Sequence, residues 1–373
     1  MPRQHRIAIA QGLKPRHSTL GLQPIPSAHL GLLRGRMLVA TRPGRKPLAG
    51  GVGYGILAAT MEDTMFTPTR RAILAGGAAL LAAPRLAHAF PDRSLRVIVP
   101  WNAGGVTDIL ARAMAPAMQA VLGQPVVIEN RAGANGGVGA EAGARAPADG
   151  HTLFVSNADT HAINPFAYRR LPYDPQADFA PVSLFARVPF ALMVGPSLPA
   201  VTNLAGLLAA ARARPGALSY ASWGVASASH LSMERICRAA GVEMLHVPFT
   251  GQAPGMTAVA AGQVDAMVLP AGGAEALSRD GRVRVLAVTS AERLALLPNV
   301  PSLKEAGVDL VTGNWFAYHV PARTPAPVVR QLSSAIAEVL RQPAVVEVFR
   351  QQATTPEATT PEGLAAFVRD ERQ

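Results

Sequence analysis

The stretch of this chain best equipped for chemistry is Ala103-Gly104-Gly105-Val106-Thr107-Asp108, and what it offers is capture of an anion by the backbone. It follows the apolar run Leu95–Val99, so a glycine turn leading into Thr107-Asp108 reads as strand, loop and helix N-terminus. Such a junction presents unpaired N–H groups and the positive end of a helix dipole, and holds an anion without a charged side chain. Gly104 and Gly105 permit close backbone approach and positive φ, and Thr107 or Asp108 would cap the helix. Asp108 would itself repel an anion, so its assigned role is to order the loop. Trp101 offers apolar contact just before the turn, and Asn102 and Ala103 complete the cradle. An ordinary strand–helix turn with no ligand is the alternative.

Three further segments carry polar groups at predicted strand ends. Ser156 and Asn157 open the loop Ser156-Asn157-Ala158-Asp159-Thr160-His161 at a carboxyl edge, where ligands of open α/β sheets sit. Capping by Asp159 and Thr160 is the competing role there. Ser222, Gly224, Ala226 and Ser227 lie in a segment that repeats the first turn's logic of small residues, a glycine, hydroxyls and a helix start. Phe249, Thr250, Gly251 and Asp265 are read as the remaining wall.

Catalytic sets are missing from the pattern. There is no Gly-x-Ser-x-Gly, His-Glu-x-x-His or Cys-x-x-Cys. Ser227 and His230 stand one helical turn apart and would be the pair of an exported hydrolase, but no third group is evident. His230 could equally be a packed or capping histidine, and nothing nearby completes a metal site. Cys237, the one cysteine, sits inside a predicted helix and reads as a buried structural thiol. No cofactor and no metal is expected.

The elements that must position these residues alternate along the chain. Strands are predicted at Leu95–Val99, Pro125–Glu129, Thr152–Ser156, Phe179–Ala186, Ala191–Val194, Leu218–Ala221, Met244–Phe249, Val264–Leu269 and Val283–Ser290. Helices are predicted at Thr107–Leu122, Thr202–Ala213, Ser227–Ala240 and Pro254–Ala261. Near-continuous apolar strands alternating with helices predict an α/β protein with mostly parallel, doubly covered sheets. Val328, Leu332, Ala335, Ile336, Val339 and Leu340 form the stripe of an amphipathic helix, with further helical pieces at Ala344–Gln351 and from Pro361 onward. Pro116 falls inside the first helix, where it removes a hydrogen bond and costs about 3 kcal/mol unless the helix kinks. Two alternating blocks, the second beginning near Ala191 and returning to the first near Trp315, predict two lobes with a ligand cleft between them. Trp315 divides evenly between cleft contact and core packing.

Charge is distributed unequally. The 373 residues carry a formal net charge of +11, but residues 1–89 hold 12 of the 35 basic and 2 of the 24 acidic side chains, leaving only +1 for the remainder. A nucleic-acid partner therefore has no electrostatic support. Arg70-Arg71, the weakly apolar Ala75–Ala83 and the small-x-small Ala87-His88-Ala89 before Phe90 read as a twin-arginine export signal, too short to span a bilayer. Translation is expected to begin at Met61 or Met65, making residues 1–64 an extension and 65–89 the signal. An exported chain with one cysteine has no internal disulfide, so its stability must come from its core.

The run Val97-Ile98-Val99-Pro100-Trp101-Asn102-Ala103-Gly104-Gly105-Val106-Thr107-Asp108-Ile109-Leu110-Ala111-Arg112 resembles the signature of the periplasmic solute receptors of tripartite tricarboxylate transporters, the Bug family. Companion motifs follow in order, among them Leu122-Gly123-Gln124-Pro125-Val126-Val127-Ile128-Glu129-Asn130, Ala148-Asp149-Gly150-His151, Leu171-Pro172-Tyr173-Asp174, His246-Val247-Pro248-Phe249-Thr250-Gly251, Gly262-Gln263-Val264-Asp265 and Asn299-Val300-Pro301-Ser302. The likeness runs from Leu95 to the C-terminus. It implies a two-lobed type II periplasmic binding fold, lobe 1 at 90–190 and 315–373 and lobe 2 at 191–314. It also implies a monomer that captures a small organic carboxylate and passes it to transporter membrane subunits, or presents it to a membrane sensor kinase. Two facing helix N-termini, at Gly104–Thr107 and Gly224–Ser227, would then grip both ends of a dicarboxylate. Members of the family usually continue beyond a motif like Phe367-Val368-Arg369-Asp370-Glu371 with a segment containing a tryptophan, which implies a shortened last helix here.

Overall fold

The computed structural model describes residues 90–373. The paired arginines, the cleavage pattern and the expected start sites lie outside the described residues. No helix among the described residues is long and apolar enough to cross a membrane.

The chain opens with β1 (Leu95–Val99), α1 (Val106–Leu122), β2 (Val126–Asn130), α2 (Gly137–Ala144) and β3 (Thr152–Asn157). β1 pairs in parallel with both β2 and β3, as βαβ connections require. β4 (Phe179–Val194) leads into a second group: α3 (Leu204–Ala213), β5 (Ser219–Ser222), α4 (Ala228–Ala240), β6 (Leu245–Pro248), α5 (Gln252–Ala260), β7 (Ala266–Pro270), α6 (Ala271–Arg279) and β8 (Arg284–Val288). β5 is parallel to β6 and β7. The chain returns through β9 (Gly313–Pro321) to α7 (Ala326–Val339), α8 (Pro343–Gln351), β10 (Thr355–Pro356) and α9 (Pro361–Glu371).

The strands run in the order β2-β1-β3-β9-β4-β7-β5-β6, with β8 and β10 also on β4. This two-lobed α/β architecture differs from the sequence expectation at its centre. Phe179–Ala186 and Ala191–Val194 are one 16-residue strand, and its pairings with β9, β7 and β8 are antiparallel. The two wings are parallel, and the spine that joins them is not. Pro189 explains the expected break. It closes the β9 pairing opposite Gly313, while Phe190 begins the β7 pairing opposite Pro270, so its missing N–H falls where β4 exchanges partners.

Burial accounts for the rest of the frame. Leu332, Ile336 and Val339 of the predicted stripe are fully buried, and α7 packs on α1 and β4. α1 runs unbroken through Pro116, which lies on its exposed face, so the Arg112 carbonyl deprived of a partner is left to solvent. Trp315 falls to the core. It is buried, packs edge-on against Phe367 and donates from Nε1 to Glu371 at 3.0 Å. Cys237 is buried too, and burial pushes its thiol up to about 12, leaving no reactive thiolate.

Candidate functional site

The β1–α1 turn is held from beneath. Gly104 lies at φ +84°, a conformation that favours glycine, and its N–H donates to Asp108 Oδ2 at 3.0 Å. The Asp108 carboxylate also accepts from Asn130 Nδ2 at 2.9 Å and from Arg112 Nε at 3.0 Å, while Asn130 Nδ2 reaches the Trp101 carbonyl at 3.0 Å. Burial works against the charge on Asp108, but the bonds from Arg112, Gly104 and Asn130 outweigh it and hold its carboxyl below the usual range. With its acid turned inward, the turn shows backbone outward. α1 begins after Gly105, which has no side chain with which to cap it, so the amides of the first turn remain open.

Those amides border a cavity of about 260 Å³. Trp101, Asn102, Ala103, Gly105, Val106 and Thr107 form one side. Opposite stand Trp223, Gly224 and the run Phe249–Ala253, at the start of α5. The α5 N-cap is Gly251 at φ +126°, again without a side-chain cap. A Cβ there would meet Asn102 Nδ2 at 3.1 Å, so the glycine lets the two walls approach. Asn102 Nδ2 donates across the gap to the Thr250 carbonyl at 3.3 Å. No Lys, Arg, His, Asp or Glu lines the cavity.

A further wall, Ala132–Asn135, precedes α2. Gly133, Ala134, Asn135 and Gly136 all have positive φ, a strained run for its two non-glycine members. Close packing holds it. Cβ atoms added at Gly139 and Gly143 would lie 2.8 Å from Pro100 Cα and 2.9 Å from Phe154 Cβ, so α2 rests against β1 and β3 through glycine.

Asn157 and Asn314 form part of the lining and converge on Asp159, which is fully buried. Its Oδ2 accepts from Asn157 Nδ2 at 2.9 Å and Asn314 Nδ2 at 3.0 Å. Its Oδ1 accepts from the Ala228 amide at 2.8 Å and Trp223 Nε1 at 3.3 Å. Burial raises the pKa of this acid above the usual carboxylate range, and the bonds from Ala228, Asn314 and Trp223 offset that only in part.

Of the residues singled out from sequence, Trp101, Asn102, Ala103, Gly105, Thr107, Asn157, Gly224, Phe249, Thr250 and Gly251 line the cavity; Gly104, Asp108, Ser156, Ser222, Ala226, Ser227 and Asp265 do not. Ser156 is buried against the Ala317 carbonyl and His319. Ser222 bonds the Gly224 carbonyl and His246. Asp265 receives the Ser219 amide and the Ser197 and Ser219 hydroxyls, tying β5 to β7 at the far end from the cavity. Ala226 and Ser227 belong to the α4 N-terminus, whose Ala228 amide already holds Asp159. The second open helix N-terminus on the cavity is therefore that of α5, not α4. Ala132–Asn135, Trp223, Gln252, Ala253, Pro270, Asn314 and Phe316 were not anticipated. The glycine cluster Gly133-Ala134-Asn135-Gly136-Gly137 was the available signal for one wall.

The hydrolase pairing does not form. Ser227 Oγ accepts from the backbone amide of His230 at 3.3 Å, while the His230 ring accepts from the Ala226 amide at 3.0 Å and stacks on His246 at 3.8 Å. No group of three His, Cys, Asp or Glu suited to a metal occurs among the described residues.

The model of the tripartite tricarboxylate transporter family receptor matches residues 110–373. BugT of Bordetella pertussis is 36% identical over 295 residues, covering 79% of this chain and 90% of that protein. A protein encoded between tcbD and tcbE in Pseudomonas sp. strain P51 is 37% identical over 313 residues, 82% of this chain and 92% of its own. Among solved structures, Rpa4515 of R. palustris with adipate superposes with a TM-score of 0.73 at 37% identity, covering 76% of this chain and 95% of that one. MatC from Rhodopseudomonas palustris with bound malate gives 0.71 at 33%, covering 76% and 97%.

Proposed function

The chain belongs to the tripartite tricarboxylate transporter receptor family of periplasmic solute-binding proteins, and from that premise we propose that it captures a small organic carboxylate in the cavity between its lobes. The observation that carries this reading is a cavity bordered by two uncapped helix N-termini, α1 after Gly105 and α5 after Gly251, with no charged side chain in its lining. Free amides and aligned dipoles favour an anion there, and no lining acid repels it. Relatives with adipate and malate support a carboxylate as that anion. On this reading the receptor, with lobe 1 at 90–190 and 315–373 and lobe 2 at 191–314, delivers the acid to the membrane subunits of a tripartite transporter, which the family match supports. Export through the twin-arginine signal belongs to the same proposal.

Thermal-shift screening of the full chain against mono- and dicarboxylates tests it. A bound acid at about 100 times its Kd adds about 2.7 kcal/mol of stability. Gln252→Pro deletes one amide at the first position of α5, where proline is tolerated, and should weaken binding about tenfold or more with little change in the unliganded melting temperature. A folded sample that shifts with no organic acid, or a Gln252→Pro variant binding as tightly as the parent, would sink the reading.

A further inference from the structure

The buried end of the cavity is walled by Asn157, Trp223, Asn314 and Phe316. They form one cluster. Asn157 pairs with Phe316 across β3 and β9, Asn314 and Phe316 share a face of β9, and Asn157, Asn314 and Trp223 all donate to Asp159. The side-chain lone pairs of this cluster are all in use. Asn157 Oδ1 accepts from the amide and the hydroxyl of Thr160 at 3.0 and 3.2 Å. Asn314 Oδ1 accepts from the amides of Ala158 and Trp315 at 3.0 and 2.8 Å. Asp159 already holds two donors on each oxygen, and an indole has a donor and no acceptor. Asn135, the next lining amide, gives Nδ2 to Asn164 at 2.9 Å, and its Oδ1 is sealed by packing.

Donors are less depleted, because each asparagine Nδ2 carries a second hydrogen beyond the one given to Asp159. The buried end therefore accommodates hydrocarbon against Trp223 and Phe316, or a group that only accepts. A hydroxyl carried there finds no side chain to take its proton, and a buried O–H left unpaired is costly. Thr107 stands in the first turn of α1 beside the open amides, at the place of the carboxylate itself. The lining oxygens with room for a donor, on Asn102, Thr250 and Gln252, belong to the partly or fully exposed mouth. There a hydroxyl gains little over what water already offers it.

We propose that the site selects carboxylates with a plain hydrocarbon frame, chain or ring, and rejects polyhydroxylated acids of the same skeleton, with the lone pairs consumed around Asp159 as the reason. This rests on the carboxylate reading above and narrows it. Calorimetric titration of the full chain with matched pairs tests it: succinate against tartrate, adipate against galactarate, cyclohexanecarboxylate against quinate. In every pair that binds, the unsubstituted member should be tighter by about tenfold or more. Hydroxylated members that bind within about twofold of their parents, or more tightly, would overturn the assignment while leaving carboxylate capture standing. Failure of every acid to bind would remove both.

Discussion

The N-termini of α1 and α4 begin from the same kind of sequence and end in opposite states. Both follow a strand, pass through a glycine and start among small or hydroxylated residues. At α1 the nearest acid, Asp108, is drawn under the loop by Gly104, Asn130 and Arg112, and the first-turn amides stay open. At α4, Asp159 arrives from the end of β3 and takes the Ala228 amide, while Ser227 takes that of His230. The lesson is that a helix N-terminus becomes a ligand site only where the fold leaves it vacant. Vacancy is decided by a residue far away in sequence, here 69 positions from Ala228.

The sharpest way to break this contrast is Asp159→Ala. It strands four buried donors at once, and unfolding in urea should show a loss of about 3 to 5 kcal/mol. A loss below about 1 kcal/mol would mean that α4 does not depend on its internal acid.

Asp108→Asn should cost less, about 2 kcal/mol, because Arg112 is half exposed and water can replace part of what it loses. The sign with pH is fixed by the lowered pKa of Asp108 in the folded chain. Its contribution is complete above about pH 4 and disappears as the pH falls through the folded value. Denaturation curves of parent and variant should therefore converge in acid; curves that stay parallel would show that Asp108 does not organise the turn through its charge.

The smallest effect belongs to Ser227→Ala. Losing one helix cap should lower stability by about 1 kcal/mol and leave carboxylate affinity unchanged. A large fall in affinity would return the α4 terminus to the site.

The contrast also marks how far the sequence could be read. β1, α1 and the turn between them were legible because apolar run, glycine and helix start are local signals, and their residues border the cavity. Strand direction was not, since apolar periodicity carries no polarity: β4 runs antiparallel to β7 and β8 where mostly parallel sheets were expected. The gap expected between Phe179–Ala186 and Ala191–Val194 is not a break in the strand; around Pro189 it marks a change of partners. Trp315-Phe316-Ala317-Tyr318-His319-Val320 of β9 and the glycine cluster at 133–137 carried usable signals that went unread. Asp159 lay beyond reach, because four donors from separate elements converge on it only in the folded chain.

The uninterrupted course of β4 has a mechanical consequence. The strand serves β9 up to Pro189 and β7 and β8 from Phe190 onward, so the two halves share one piece of hydrogen-bonded backbone with no slack between them. Any swing of one half against the other is torsion in that strand, as in a leaf spring, with Pro189 as the point where a rung is already missing. Stiffening or loosening the chain there would alter how fast the cavity admits and releases its guest, while every group that recognises the guest stayed the same.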